Sequence, residues 1–202
     1  EIYIKYVKED LICNTQINTQ NMKKLILLLL TAFTLSCCNN DDQPKTELEK
    51  LPPATQTGAQ TIGCLVNGKA FVDNSSFNNF YQFVDGEFYL VINWDMDNSN
   101  GYKDGQIAIS KTVIQEGQTY ILNKSSYLDG DYIGAGATFV STLPEIYGQY
   151  ETNSNYTGQI HFTRFDTQNF IMSGTFEFEA KDILLEKTIS ITNGRFDLQY
   201  IP

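Results

Sequence analysis

Apolar and polar residues alternate with a period of two along most of the chain after Thr61. Because successive side chains of a strand point to opposite faces, this period predicts strands with one buried face. In residues 87–94 one face would carry four large apolar side chains: Phe88, Leu90, Ile92 and Trp94. Residues 170–180 repeat the pattern, with Phe176 and Phe178 on one face and Glu177 and Glu179 on the other. We predict that the two apolar faces belong to one core.

Turn signals separate these segments at near-regular spacing. Asn67-Gly68 and Asp85-Gly86 each stand between two apolar runs, which is the strongest short-range indication of a hairpin. Asn193-Gly194 interrupts the last alternating segment and is compatible with a hairpin or a β-bulge. The polar stretches 95–105 and 124–136 are predicted to be loops, and we find no helix of ordinary length after residue 60.

Many short strands with frequent turns are typical of all-β architectures. We therefore predict that residues 61–202 form a single antiparallel β-sandwich or barrel-like domain of about ten short strands.

The pattern before this domain is different. Residues 22–37 read MKKLILLLLTAFTLSC, with Lys23 and Lys24 followed by an apolar run to Leu35. A basic start, a short apolar run and a small residue such as Ser36 form the layout of a secretory signal peptide. The run is too short for a transmembrane helix, which needs about 20 apolar residues. We predict that residues 22–36 are removed on export.

The flanks of this segment complete the predicted organisation. Residues 1–21 lack a starting Met and have no clear period, so we interpret them as a mis-extended start, with Met22 as the true one. A long cytoplasmic n-region is the alternative. Residues 37–60 contain three prolines and no aromatic residue, and they are predicted to be a lipidated cysteine followed by a flexible tether.

Leu35-Ser36-Cys37 resembles the lipobox of bacterial lipoproteins. The resemblance implies cleavage before Cys37 and acylation of its thiol, including palmitate-type chains, so that the membrane becomes a partner through this lipid. Since one acyl chain gives only marginal anchoring, several chains would hold the protein stably. The alternative is a plain secreted protein cut near Ser36. Asp41-Asp42 resembles the acidic export signals of Bacteroidota-type lipoproteins, although a solvated charge pair is a second reading.

Four stretches carry a further resemblance: TIGCLVNGKAF at 61–71, GQIHFTRFD at 158–166, SGTFEFEA at 173–180 and ITNGRFDLQY at 191–200. They resemble a family of uncharacterised flavobacterial-type Bacteroidota lipoproteins whose domain has no known function. The resemblance covers most of residues 51–202 and implies an outer-membrane lipoprotein that faces the periplasm or the exterior. It transfers no catalytic residue.

Charge and cysteine content restrict the class of protein further. The chain has 14 basic and 24 acidic residues, a net charge of −10, which argues against nucleic acid as a partner. Cys38 and Cys64 allow a disulfide in an oxidising compartment, but we favour Cys64 as a small buried residue. The cysteines show no zinc spacing, and we predict no cofactor.

Catalytic signals are weak. His161 is the chain's one histidine and lies within a predicted strand. No second histidine is present to support a catalytic triad or a histidine-based zinc site. Glu177 and Glu179 share a strand face and are the carboxylates that an envelope hydrolase would use. Outward-facing charges on an antiparallel sheet explain them better. We predict no catalytic residue and favour a non-catalytic binding or structural module.

Two further sets of side chains are candidate sites. Asp95, Asp97 and Asp104 crowd one polar stretch and suggest an oxygen-ligand calcium site, although the glycine and the final acidic residue of an EF-hand loop are misplaced. A solvated hairpin loop is the favoured interpretation. Five tyrosines lie among Asn, Asp and Gly in the middle of the chain: Tyr127, Tyr132, Tyr147, Tyr150 and Tyr156. Aromatic faces beside amides suit a glycan or protein partner, so these tyrosines are the predicted ligand-binding surface if there is one. The favoured alternative is that tyrosine simply prefers strands and their ends.

Overall fold

The chain forms an all-β domain in a computed structural model that describes residues 45–73, 79–98, 101–129 and 131–202. The predicted signal peptide and Cys37 lie outside the described residues.

Eleven strands make up one sheet. Their bounds are β1 Thr61–Val66, β2 Lys69–Val72, β3 Phe80–Val84, β4 Glu87–Asn98, β5 Gly101–Ser110, β6 Thr119–Lys124, β7 Gly134–Ser141, β8 Gly148–Glu151, β9 Gly158–Asp166, β10 Ile171–Asp182 and β11 Thr188–Gln199. The only helical pieces in the described residues are one short helix, α1 Ser126–Asp129, and two 3-10 turns, Leu48–Lys50 and Pro144–Ile146.

The strands follow the order β2-β1-β11-β10-β9-β6-β7-β5-β4-β3, and β8 lies beside both β10 and β7. Every described pair of strands is antiparallel except β6 with β7, which is parallel. The end of the chain reaches back to β3, because Phe80 and Ile201 form a β-bridge and Tyr81 N donates to Ile201 O at 3.0 Å. One sheet therefore curls until its last residues meet its far edge.

The core fills the concave side of this sheet. Leu90, Ile92 and Trp94 are fully buried and Phe88 packs against them half-buried, while Phe176 and Phe178 are buried from β10. Trp94 and Phe176 meet across the core with ring centroids 5.0 Å apart. The predicted apolar faces are confirmed, since the alternation of each strand directs the same side chains inward.

The two predicted Gly-containing hairpins are also confirmed. Asn67 and Gly68 have φ of 49° and 80°, and Asp85 and Gly86 have φ of 51° and 88°. Both central residues of a type I′ turn need positive φ, which is why Asn-Gly and Asp-Gly occur there. These turns set the registers of β1 with β2 and of β3 with β4.

The prediction of a loop at 95–105 is wrong. β4 continues to Asn98 and β5 begins at Gly101, and the two strands stay paired from Tyr89↔Ser110 to Asn98↔Gly101. Polar side chains cover the outward face here, whereas Trp94 and Gly105 face each other on the inner side. The ring of Trp94 occupies the place of a side chain at Gly105, where an added Cβ would lie 2.2 Å from Cε2. The polar composition of this stretch therefore reflects the solvent-exposed face of two paired strands and not a loop.

The stretch 124–136 is shorter as a loop than predicted. It contains α1, and β7 already begins at Gly134. Gly136 pairs with Ala108 on one side and with Lys124 on the other, and its missing side chain leaves room for the Lys124 carbonyl. The closeness of the parallel neighbour β6 explains why glycine stands in this strand.

Part of the predicted tether belongs to the folded domain. We call residues 47–59 the strap, because they run along β1 and β11. Glu47 Oε2 accepts from Ala70 N at 2.7 Å, Leu51 is buried, and Pro52 lies against Gly63. The domain therefore begins before Thr61, and a composition typical of a linker did not reveal it.

Asp197 of β11 fastens the end of the strap. Its side chain is 1% exposed and accepts six hydrogen bonds from Thr55 Oγ1, Thr57 N, Thr57 Oγ1, Gly58 N, Ala59 N and Ser173 Oγ at 2.6–3.2 Å. Burial alone would raise the pKa of Asp197, but the hydrogen bonds from Thr55, Thr57, Ser173 and Gly58 outweigh it and hold the pKa below its ordinary value. A buried carboxylate is thus stabilised in its charged form.

Cys64 is a free, fully buried thiol in β1. Burial raises its pKa to about 12, opposed weakly by Trp94 and Lys103. This agrees with our interpretation of Cys64 as a small core residue.

Candidate functional site

A groove of about 620 Å³ lies on the outward face of β6, β9, β10 and β11. We call it the outer groove; it is lined by Leu48, Ala54, Thr119, Gln159, His161, Thr175, Phe176, Glu177, Asn193, Gly194 and Arg195. Its volume falls within the range of about 300–1,000 Å³ that small-molecule sites occupy.

Strand register brings the polar side chains of the groove together. Thr119 is the partner of His161, His161 is the partner of Thr175, and Thr175 is the partner of Arg195. Directly paired residues project to the same face of a sheet, so these four form one row across four strands. Gly63 continues the row in β1, and the strap crosses there because no side chain stands in its way. Leu48 and Ala54 of the strap thus form one wall of the groove.

A second row lies beside the first and completes the hydrogen-bonding surface. Gln159 and Glu177 are cross-strand partners, and Gln159 Nε2 donates to Glu177 Oε1 at 2.8 Å. In the first row, Thr119 Oγ1 and His161 Nδ1 are hydrogen-bonded at 3.0 Å. Among the described ion pairs none involves Arg195 or Glu177, so two opposite charges are present in the groove without a salt bridge.

A β-bulge places Asn193 at the edge of the groove. The register of β10 with β11 shifts between Phe176↔Gly194 and Phe178↔Ile191, and Asn193 has a φ of 53°. A Cβ at Gly194 would lie 2.5 Å from the carbonyl oxygen of Phe176, so only glycine fits beside this bulge. Of the two structures compatible with Asn193-Gly194, the protein has the bulge.

The floor of the groove is part of the core. Phe176 is 3% exposed and contacts Trp94 and Phe196 through its ring. Polar groups on packed strands have little freedom to move, which favours a site formed before the ligand arrives.

The outer groove continues into a second depression of about 440 Å³. The two share Gln159 and Glu177, and the second also contains Glu179, Thr157 and Ser190. Both glutamates singled out in the sequence are exposed and line this continuous outward face.

The predicted tyrosine surface is divided by the structure. Tyr147 is 58% exposed, Tyr132 and Tyr156 are half-buried, and Tyr150 is 1% exposed, with its hydroxyl donating to Tyr147 O at 3.3 Å. The side chain of Tyr127 lies outside what the structure describes. Tyr150 is part of the core because β8 is held between β10 and β7, and its ring cannot contact a partner in this arrangement. The remaining tyrosines do not line the outer groove.

The three candidate calcium ligands lie on the β4–β5 hairpin. Asp95 and Asp104 are cross-strand partners, whereas Asp97 is exposed and pairs with Tyr102. Burial raises the pKa of Asp104; its hydrogen bond with Tyr102 opposes this and Asp95 reinforces it. In the described part of the chain no three His, Cys, Asp or Glu side chains are grouped so as to hold a metal ion.

The outer groove was not predicted. Its residues come from strands that are far apart in sequence, and their convergence depends on the register of the whole sheet. His161 and Glu177 stand out individually in the sequence, and Asn193 does so only as a turn or bulge residue. Arg195 and Gln159 have the appearance of ordinary polar residues on solvent-exposed strand faces.

Searches for related proteins add nothing to this geometry: no protein-family model, curated protein or solved structure matches the chain. No helix within the described ranges has the length and apolar character needed to span a bilayer.

Proposed function

We propose that this protein is an outer-membrane lipoprotein, anchored through acylated Cys37, whose domain binds a hydroxyl-rich polar ligand such as a glycan in the outer groove without catalysis. The observation that carries the binding proposal is the convergence of Gln159, His161, Glu177 and Arg195 in one groove on the outward face of the sheet.

The chemistry of the groove supports a glycan as ligand. Amide, carboxylate, imidazole and guanidinium groups offer both donors and acceptors, and sugar hydroxyls can accept from one and donate to another. The groove is an open channel on the outward face, extended by the second depression, which suits a linear ligand more than a compact one. The net charge of −10 disfavours polyanionic ligands.

The anchor is supported by the sequence of residues 22–37 and by the resemblance to flavobacterial-type lipoproteins. Growth with a fatty-acid probe should label the protein. Cys37→Ala should abolish the labelling and release the protein from membranes. Unchanged labelling of Cys37→Ala would refute the anchor.

Glycan-array screening of the mature protein, followed by calorimetric titration, tests the groove. Glu177→Ala removes a charged acceptor in the centre of the groove and should weaken binding about tenfold or more, since a hydrogen bond to a charged group contributes about 1.5–3 kcal/mol. Glu87→Ala is the matched control, because it removes the same exposed side chain from β4, outside both the outer groove and the second depression. Equal affinities of the two variants would refute the assignment.

A hydrolase is the second candidate, favoured by the Thr119–His161 hydrogen bond and by Glu177 in the same groove. A hydroxyl beside an imidazole is the contact that activates a nucleophile, although a third group orienting the imidazole is also expected in such sites. Screening against glycosidic and ester substrates tests it. Turnover that is lost in both Thr119→Ala and Glu177→Gln would reverse our ranking.

A further inference from the structure

An apolar patch lies at the end of the sheet where β10 turns into β11. We call Tyr147, Ile183, Leu184 and Leu185 the end patch. Leu184 is 83% exposed, Tyr147 is 58% exposed and Leu185 is 44% exposed. They line a depression of about 400 Å³ together with Val140 of β7. Single exposed apolar residues are common, but a contiguous group on a loop indicates a surface that contacts something.

The loop that carries the two leucines is held in a defined shape. Asp182 is buried, and its Oδ1 accepts from Leu184 N at 2.8 Å and from Leu185 N at 2.5 Å. Ile183 N donates to Gln149 O at 3.0 Å. Because the backbone is fixed from both sides, Leu184 cannot fold back onto the core without breaking these bonds. The outward position of the leucines is therefore built into the fold.

The strap shows from which side the chain enters the domain. Glu47 lies beside Ala70, Pro52 beside Gly63 and Thr57 beside Asp197. Leu65 of β1 pairs with Ala70 on one side and with Thr192 of β11 on the other, so Glu47 lies at the level of Thr192. Because Thr57 lies farther along, beside Asp197, the strap runs in the same direction as β11, which extends from Thr188 to Gln199. The strap therefore begins nearer to the Thr188 end of β11, which is the end that carries the end patch.

The distance to the proposed anchor is short. Lys45 follows Cys37 by eight residues, and an extended chain spans at most about 3.3–3.6 Å per residue, or about 28 Å. A 12-residue strand such as β10 is itself about 40 Å long. An anchor at Cys37 would therefore leave the Thr188 end within reach of the bilayer.

On these grounds, and resting on the proposed lipidation of Cys37, we propose that the end patch inserts into the surface of the membrane that holds the anchor. The occupant of the patch is the lipid surface itself. The net charge of −10 opposes attraction to anionic lipids, so the contact is apolar and depends on the anchor to bring it about. The outer groove, which lies along the side of the sheet, then remains accessible.

Tryptophan quenching by brominated lipids tests this contact. The acylated full chain is reconstituted in vesicles of phosphatidylethanolamine and phosphatidylglycerol with brominated acyl chains. Leu184→Trp introduces a probe in the end patch, whereas native Trp94 is 0% exposed and supplies a constant background. Val84→Trp is the matched control, because Val84 is 47% exposed beside the Asp85-Gly86 turn at the opposite end of the sheet.

We expect at least twofold stronger quenching and a blue-shifted emission for Leu184→Trp in vesicles, with the Val84→Trp probe unaffected. Equal quenching of both probes, or none at position 184, would overturn the inference. A blue shift that grows with protein concentration without vesicles would instead indicate a second copy on the patch, and would also overturn it. If Cys37 carries no lipid, the fatty-acid label is absent and the proposed anchor fails; a labelled protein with an unquenched Leu184→Trp probe refutes the patch contact alone.

Discussion

Replacement of Asp197 probes the interaction that joins the strap to the sheet. Asp197→Ala removes the acceptor of six hydrogen bonds. Ser173 is fully buried, and its unpaired hydroxyl would contribute about 1–3 kcal/mol of destabilisation. The strap donors lie nearer to the solvent and recover water, but the loss of one charged hydrogen bond adds about 1.5–3 kcal/mol. We expect the free energy of unfolding to fall by about 3–5 kcal/mol.

Asp197→Asn is the more informative variant. It keeps the shape and one acceptor, but it turns an NH₂ group towards donors such as Thr57 N and Gly58 N, so we expect a loss of about 1–3 kcal/mol. Asp131→Asn, at an exposed carboxylate, is the control and should leave the stability almost unchanged. Urea unfolding followed by far-UV circular dichroism measures all three variants, and hydrogen exchange at Thr57, Gly58 and Ala59 shows whether the strap is released.

The pH dependence provides an independent check. The pKa of Asp197 is lowered in the folded protein, so its contribution is complete above the unfolded pKa of about 3.9 and is lost as the pH falls further. The stability gap between the wild type and Asp197→Asn should therefore be constant near neutral pH and narrow below about pH 4. A stability difference that does not change down to pH 2 would refute the conclusion that the charged carboxylate of Asp197 holds the strap. Wild-type stability of Asp197→Ala would refute it as well.

Three further predictions follow from the core. Gly105→Ala should lower the free energy of unfolding by about 1–3 kcal/mol or more in urea titrations, because its Cβ would overlap the ring of Trp94; wild-type stability would contradict this packing. Phe176→Ala should cost about 3–5 kcal/mol by the same measurement, since it leaves a cavity under the outer groove. With Cys13, Cys37 and Cys38 replaced by serine, Cys64 should not react with a thiol reagent at pH 8 until the protein is unfolded, because burial raises its pKa to about 12; rapid labelling of the folded protein would contradict its burial.

The parts of the fold that depend on local sequence were predictable. The turn at Asn67-Gly68 needs only two residues with positive φ, and the inward faces of β4 and β10 follow from alternation within each strand. The parts that depend on distant residues were not. Residues 55–59 have the composition of a linker, and they are held in place by residues more than 100 positions later, namely Asp197 and Arg164, which donates to Gln56 O.

The outer groove escaped prediction for a related reason. Thr119, His161, Thr175 and Arg195 become neighbours only when four strands take their registers, and the Asn193 bulge moves one of these registers by a residue. The loop prediction for residues 95–105, which form the β4–β5 hairpin, was wrong for a different reason. Its outward side is rich in Asp and Asn, and that composition outweighed the weak alternation of Trp94 and Met96.

The pairing of β1 with β11 has a consequence for the order of folding. Thr61 finds its partner in Asp197, so the first strand of the sheet lacks its main neighbour until nearly the whole chain has been made. Such long-range pairing makes folding slow and leaves strand edges open meanwhile. A chain that cannot complete its sheet before its last strand is made stays unfolded during synthesis, which is compatible with the proposed export through a membrane pore. The same dependence implies that losing the final strand would detach β1 and β2 from the rest of the sheet, since β11 is the strand that joins β1 to β10.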